Sequence, residues 1–124
     1  TQMKEDVDKR TVIWAFPKLL VIPLKRFNFD TKGTKNNTIV QFDVDLDLTK
    51  YVEGYNKASY VYELYAVCNH MGSINGGHYT AYIKNMVNNK WYHFNDSNVS
   101  EINISNPKIL MLNAYCLFYN RKYM

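Results

Sequence analysis

Along this chain, short stretches in which apolar and polar residues alternate with a period of two follow one another, and nothing between them is long enough for the crossover that parallel strands require. The pattern predicts an α+β fold that is mostly antiparallel β-sheet, of five to seven strands, with a few short helices. Strands are expected over residues 11–16, 18–29, 39–48, 60–69, 78–85, 90–96 and 114–119, with a short one near Val99, Ile102 and Ile104. In 39–48, Phe42, Val44, Leu46 and Leu48 share one face and Asp43, Asp45 and Asp47 the other; in 60–69, Tyr60, Tyr62, Leu64, Ala66 and Cys68 lie together. Pro23 cannot donate to a ladder, so it marks a bulge or an edge. Residues 30–38 and 70–77 read as loops, 85–89 as the turn of a hairpin, and 49–52 and 107–112 as single helical turns.

At 124 residues there is room for one core. Apolar content of 47% and charged content of 21% exclude disordered and collagen-like classes. The longest apolar run, 19–22, stops at Pro23, far short of the roughly 20 residues of a membrane helix, so no membrane partner is expected. Cys68 and Cys116 form no Cys-x-x-Cys pair, and His70, His78 and His93 complete no zinc pattern; no metal site is expected. The aspartates from Asp43 fail as a calcium loop, with Leu48 where glycine and Gly54 where glutamate would be needed. Such cysteine usage suits a reducing compartment, cytoplasmic or nuclear. The net charge of +4 comes from scattered lysines and three arginines, which excludes the basic cluster of a nucleic-acid partner. Eleven tyrosines suit strands and contact surfaces, and Tyr51, Tyr55, Tyr60 and Tyr62 are expected to pack on the sheet. The plentiful asparagines suggest only a coding bias without mechanism.

The chemistry-bearing segment is Gly76-Gly77-His78-Tyr79-Thr80-Ala81-Tyr82. Two residues without Cβ let another backbone approach the imidazole at the strand mouth. Seventeen residues on stands Phe94-Asn95-Asp96-Ser97, and a hairpin brings Asn95 or Asp96 beside His78, where a side-chain oxygen can hold one ring N–H. A base with its orienter is two thirds of a nucleophilic triad. His93, mid-strand, is expected to face solvent.

Around this segment stand Leu19-Leu20-Val21-Ile22-Pro23-Leu24-Lys25-Arg26-Phe27, Leu46-Asp47-Leu48 with Tyr51, Tyr62-Glu63-Leu64-Tyr65-Ala66-Val67 ahead of His70 and Gly72, Trp91-Tyr92-His93-Phe94-Asn95-Asp96-Ser97 with Val99, and Ala114-Tyr115 with Leu117-Phe118-Tyr119. In this order and spacing, over about residues 10–121, they resemble the C-terminal half of a ubiquitin-specific protease catalytic domain. The resemblance implies a papain-like cysteine protease palm in a deubiquitinating hydrolase that cuts after ubiquitin's terminal glycine. It makes His78 the general base, Asn95 the orienting member of the triad and Asp96 its helper. It places Arg26, Phe27, His70, Gly76, Gly77, Tyr79 and Tyr119 along the channel for the ubiquitin tail, with loops 30–38 and 69–77 over it. The family's Gly-Asn-Thr-Cys nucleophile box does not occur, and Cys68 and Cys116 lie in alternating strands as core residues. Residues 1–124 are therefore expected to be the palm part alone, without the thumb and most of the fingers, and inactive without the N-terminal half of its own catalytic domain. Ubiquitin and ubiquitinated proteins are the other expected partners. No cofactor is expected in this chain, a structural zinc belonging to the fingers outside it. Pro23 and the Asp43-Val44 pair depart from the family pattern away from the catalytic set. The competing reading is a non-catalytic ubiquitin-binding module of the same fold; an aromatic-rich sandwich for sugar or protein would require the motif order to be coincidence.

Overall fold

One strand of thirteen residues, Val61–Ser73, organises the sheet. Of the seven strands, this one, β3, has β7 (Ala114–Arg121) on one side; on the other it pairs first with β2 (Asp45–Asp47) and then with β4 (Gly76–Lys84). β1 (Leu19–Pro23) flanks β7, and β5 (Trp91–Asn95) and β6 (Asn98–Ile102) extend the sheet beyond β4, giving the order β1-β7-β3-β4-β5-β6 with every strand pair antiparallel. The computed structural model describes residues 6–28, 33–54 and 58–123. Phe29 of the expected second strand, residues 30–32 of the expected loop and Tyr55 of the aromatic cluster lie outside the described residues.

Two register shifts in the β3–β7 pair decide which side chains are buried. Leu64 faces Tyr119 and Ala66 faces Phe118, so Tyr65 is an extra residue on β3; Cys68 faces Cys116 and Asn69 faces Ala114, so Tyr115 is an extra residue on β7. Each bulge reverses the phase of a period-two strand. Tyr60, Tyr62 and Leu64 are buried as expected, but beyond Tyr65 the residues buried on that inner face are Val67 and Asn69, while Ala66 and Cys68 turn to the opposite face. The core on the inner face joins Tyr60, Tyr62, Leu64 and Val67 to Trp91, Leu110, Leu117 and Tyr119. The outer face leaves Leu19, Val21, Ile83 and Val99 exposed.

Several expected elements change length. Among the described residues, 11–16 form a parallel bridge from Ile13 to Val52 in place of the expected strand, with Glu53 N donating to Ile13 O at 2.8 Å and Gly54 N to Trp14 O at 3.1 Å. The strand of 39–48 contracts to β2, although its alternation holds, with Phe42, Val44, Leu46 and Leu48 packed on the core. The expected loop 70–77 is largely strand: β3 and β4 pair through Gly72↔Gly77 to Ser73↔Gly76, leaving a two-residue turn. Gly72 makes this compatible by adopting φ +104°. Pro23 ends the edge strand β1, which answers its missing donor.

The asparagines prove to have a mechanism. Side-chain oxygens of Asn36, Asn85, Asn88, Asn103 and Asn106 each accept from the backbone N–H two residues on, at 2.8–3.2 Å. These Asx turns close the connections between strands and cap the 3-10 turn Pro107–Met111, which places Leu110 in the core. A coding bias does not explain such positioning.

The bulge at Tyr65 predicts unequal costs for two adjacent serine substitutions. Val67→Ser should cost about 3 kcal/mol or more, from a cavity and an unpaired hydroxyl in the core. Cys68→Ser, on the outer face, should cost about 1 kcal/mol or less. Urea denaturation reads both, and the reverse order would return the strand to unbroken alternation.

Candidate active site

β4 carries His78, and because successive residues of a strand point to opposite faces, His78 and Thr80 lie on the inner side while Gly77 and Tyr79 lie on the outer. β5 pairs with β4 from Lys84↔Trp91 to Ala81↔Phe94 and ends at Asn95. A two-residue turn, with Asp96 at φ +51°, then returns the chain to Asn98 in β6. Asp is among the few residues that adopt this conformation readily. The turn holds Asn95 at the end of its strand, where its Oδ1 lies 2.7 Å from His78 Nε2. The same nitrogen is 4.0 Å from Asp96 Oδ2. His78 remains 46% exposed, so the pair opens to solvent rather than lying in the core.

The contact assigns the proton. An amide oxygen can only accept, so Nε2 carries the hydrogen and Nδ1 is the basic nitrogen left for an incoming acid. The Asp96 carboxylate, 79% exposed, adds a solvent-screened attraction for a positively charged ring.

The outer side of β4 is built differently. His70, 4% exposed, sits in an aromatic box whose ring centroids lie 5.3 Å away for Phe27, 4.7 Å for Tyr79 and 6.0 Å for Tyr115. Burial, and then the charge of Lys35, hold the His70 pKa below its ordinary value, so the ring is neutral. Its buried Nδ1 has no hydrogen-bond partner among the described residues, and neither has Oδ1 of the neighbouring Asn69. Lys35 Nζ donates to His70 O at 2.9 Å. Arg26 is buried and donates to Ala114 O at 2.6 Å, Asn36 O at 3.1 Å and Thr38 O at 2.7 Å. These bonds fasten residues 35–38 beside the box.

The sequence-predicted residues thus separate into three places. His78, Asn95 and Asp96 meet at the rim of the inner face. Phe27, His70 and Tyr79 form the box on the outer side of β4, fastened by Arg26. Tyr119 lies in the core at 1% exposure, its hydroxyl donating to Asp43 O at 2.6 Å, and it presents no surface to a ligand. The glycines also differ. A Cβ on Gly77 would collide with His70 Nε2 and stand 2.8 Å from its Cε1 and 2.9 Å from Met71 O, whereas one on Gly76 would meet nothing within 4 Å among the described residues. Gly77 admits the chain's own imidazole, and Gly76 alone leaves open space. Sequence reading missed Lys35, which no motif marks, and Tyr115, whose outward turn depends on the bulge. His93 is half-buried, its ring tilted against that of Tyr82 with centroids 5.0 Å apart, instead of facing solvent.

Cys68 cannot serve His78. Its partner on β4 is Ala81, both lie on the outer face, and burial pushes its thiol pKa up, against the thiolate a nucleophile needs. Among the described residues, no group of three His, Cys, Asp or Glu side chains could hold a metal ion.

Residues 1–119 match the family model for ubiquitin carboxyl-terminal hydrolase. The chain is 52% identical over 117 residues to ubiquitin carboxyl-terminal hydrolase 10 of Arabidopsis thaliana, covering 92% of this chain and 12% of that protein. It is 42% identical over 120 residues to ubiquitin carboxyl-terminal hydrolase 4 of Pongo abelii, covering 95% of this chain and 12% of that protein. The chain therefore spans about an eighth of the length of these curated relatives. Among solved structures, the Ubp8-Sgf11-Sgf73-Sus1 SAGA DUB module is similar at a TM-score of 0.77 and 34% identity, covering 90% of this chain and 25% of that one. The same module bound to ubiquitin aldehyde is similar at 0.75 and 32%, covering 91% and 26%.

Two outcomes follow from the box. Gly77→Ala should destabilise the chain by about 1–3 kcal/mol, since Met71 O is backbone and cannot swing away, while Gly76→Ala should be neutral or stabilise by up to about 1 kcal/mol; chemical denaturation separates them. His70, neutral when folded, takes up a proton more readily when unfolded, so its share of stability is complete above about pH 6.5 and declines as pH falls below it toward the lowered folded value. His70→Gln should flatten the fall in urea midpoint between about pH 7.5 and about pH 5 relative to the wild type; parallel profiles would mean that the ring titrates alike in both states.

Proposed function

The chain belongs to the ubiquitin carboxyl-terminal hydrolase family, in its ubiquitin-specific protease branch, and has the mostly antiparallel fold of that papain-like class; from this premise we propose that it supplies the base half of a deubiquitinating thiol hydrolase. The observation that carries the reading is the 2.7 Å contact between His78 Nε2 and Asn95 Oδ1. With Nε2 committed to the amide, Nδ1 takes the proton of a cysteine thiol brought by another segment, and the imidazolium and thiolate stabilise one another. The thiolate attacks the carbonyl of ubiquitin's terminal glycine, His78 returns the proton to the leaving amine, and water then hydrolyses the acyl-thioester with the same nitrogen acting as base. A neutral orienter suffices because the thiolate itself supplies the negative charge facing the imidazolium, and Asp96 adds a carboxylate at 4.0 Å.

The nucleophile lies, on this reading, outside residues 1–124, since both cysteines are on the outer face with raised pKa values. The box of Phe27, His70, Tyr79 and Tyr115, with the open space at Gly76, is the wall along which the ubiquitin tail runs. Two of the similar structures hold ubiquitin or ubiquitin aldehyde, which supports ubiquitin as the partner.

In a full-length gene product carrying this chain, His78→Ala should lower kcat on a fluorogenic ubiquitin substrate by at least about a thousandfold. Asn95→Ala should cost about ten- to a hundredfold, the ring being held less firmly. Wild-type rates in both variants would remove the proposed triad. The 124-residue chain by itself should form no adduct with ubiquitin bearing an electrophilic C-terminus; modification of Cys68 would overturn the placement of the nucleophile, and reversible ubiquitin binding with an inactive full-length protein would favour the binding-module reading.

A further inference from the structure

The only two cysteines of the chain face one another. Cys68 of β3 and Cys116 of β7 are direct partners in the antiparallel register, both free and both half-buried. Residues directly opposite in an antiparallel pair have Cα atoms about 4.5 or about 5.5 Å apart, according to whether the pair is hydrogen-bonded. Both values lie inside the window of about 4.4–6.8 Å for a disulfide. The two side chains share the outer face, because Val67 and Leu117 beside them are in the core. A shallow apolar depression of about 370 Å³, lined by Ala66, Ala81, Ile83 and Phe118, reaches Cys68 from solvent. The pair adjoins the bulged Tyr115, whose ring packs 6.0 Å from His70 and 6.1 Å from Tyr79.

We infer that Cys68 and Cys116 are a redox-modification site, closing a cross-strand disulfide when the folded chain meets a peroxide and pinning the β3–β7 register beside the aromatic box. The Cys68 sulfur attacks one oxygen of hydrogen peroxide and the O–O bond breaks, giving the sulfenic acid and a hydroxide that leaves as water with the thiol proton. The Cys116 sulfur then attacks the Cys68 sulfur, the S–O bond breaks, and a second water carries away the remaining thiol proton. Two thiols lose two electrons and the peroxide gains them. Burial raises both thiol pKa values, which keeps the thiolate scarce and the first step slow. The inference is independent of the proposed hydrolase activity, since it involves neither His78 nor Asn95.

The test is peptide mapping, without reductant, of the folded chain after exposure to hydrogen peroxide. The expected result is a Cys68–Cys116 linked peptide, reversed by dithiothreitol, with a raised Tm and slower amide exchange at Asn69 and His70 in the oxidised chain. Cys116→Ser should leave Cys68 as a sulfenic acid that dimedone captures, whereas the wild type should escape capture by closing the disulfide. Equal dimedone capture in both, sulfinic acid at Cys68 with Cys116 still open to alkylation, or a link that forms only in urea would each overturn the inference.

Discussion

The geometry of this chain depends on a pair of compensating bulges between its two central strands. A period-two strand that buried Tyr60, Tyr62 and Leu64 and then continued unbroken would bury Ala66 and Cys68 and expose Val67. The extra residue at Tyr65 reverses the phase, so the larger Val67 enters the core opposite Leu117, and the small or weakly polar side chains turn outward. A single bulge would leave β3 and β7 out of step for the rest of their length. The second, at Tyr115 on the facing strand, restores the count and sends a tyrosine ring outward against His70 and Tyr79. Core packing and the aromatic box are thus two consequences of one backbone feature.

The box in turn explains the glycine at position 77. A buried imidazole needs room on the side of β4, and only a residue without Cβ provides it. His70 therefore acts on the strand of His78 from beneath, through packing, while Asn95 acts on His78 directly through a hydrogen bond. The two histidines have opposite environments in consequence. His70 is enclosed and neutral, whereas His78 is almost half exposed beside a carboxylate and an amide. One is closed in by rings and the other is open to an incoming group.

Much of this was legible in the sequence where local rules govern. Alternation or an apolar run located each described strand in some form, Pro23 marked a bulge or an edge, and the seventeen-residue separation within a hairpin brought His78 and Asn95 together. Failures came where a non-local pairing overrode the local signal. Gly72, Gly76 and Gly77 read as a loop, yet they sit in or beside paired strand, because glycine serves close approach as well as turning. The faces of Ala66, Val67 and Cys68 could not be read, since a bulge is set by the partner strand and leaves no periodic trace in its own. Arg26 and Tyr119 were expected along a ligand channel, but their polar groups are committed to the chain's own carbonyls, a commitment that residue type does not reveal.

That commitment also bears on charge. The chain carries a net charge of +4, which bears on the tail of the proposed partner wherever cations stand beside the box. Two cations beside the box are nevertheless engaged: Arg26 with three backbone carbonyls, and Lys35 with the carbonyl of His70. A guanidinium held by carbonyls keeps its formal charge, but its donors are aimed inward and the opposing dipoles offset its field at the surface. These cations work as fasteners for residues 35–38, and Lys35 also helps to keep His70 neutral. The outer surface of the box is accordingly aromatic, and a tail lying against Tyr79 and Phe27 would meet ring faces, which attract cations, before it met the buried charges.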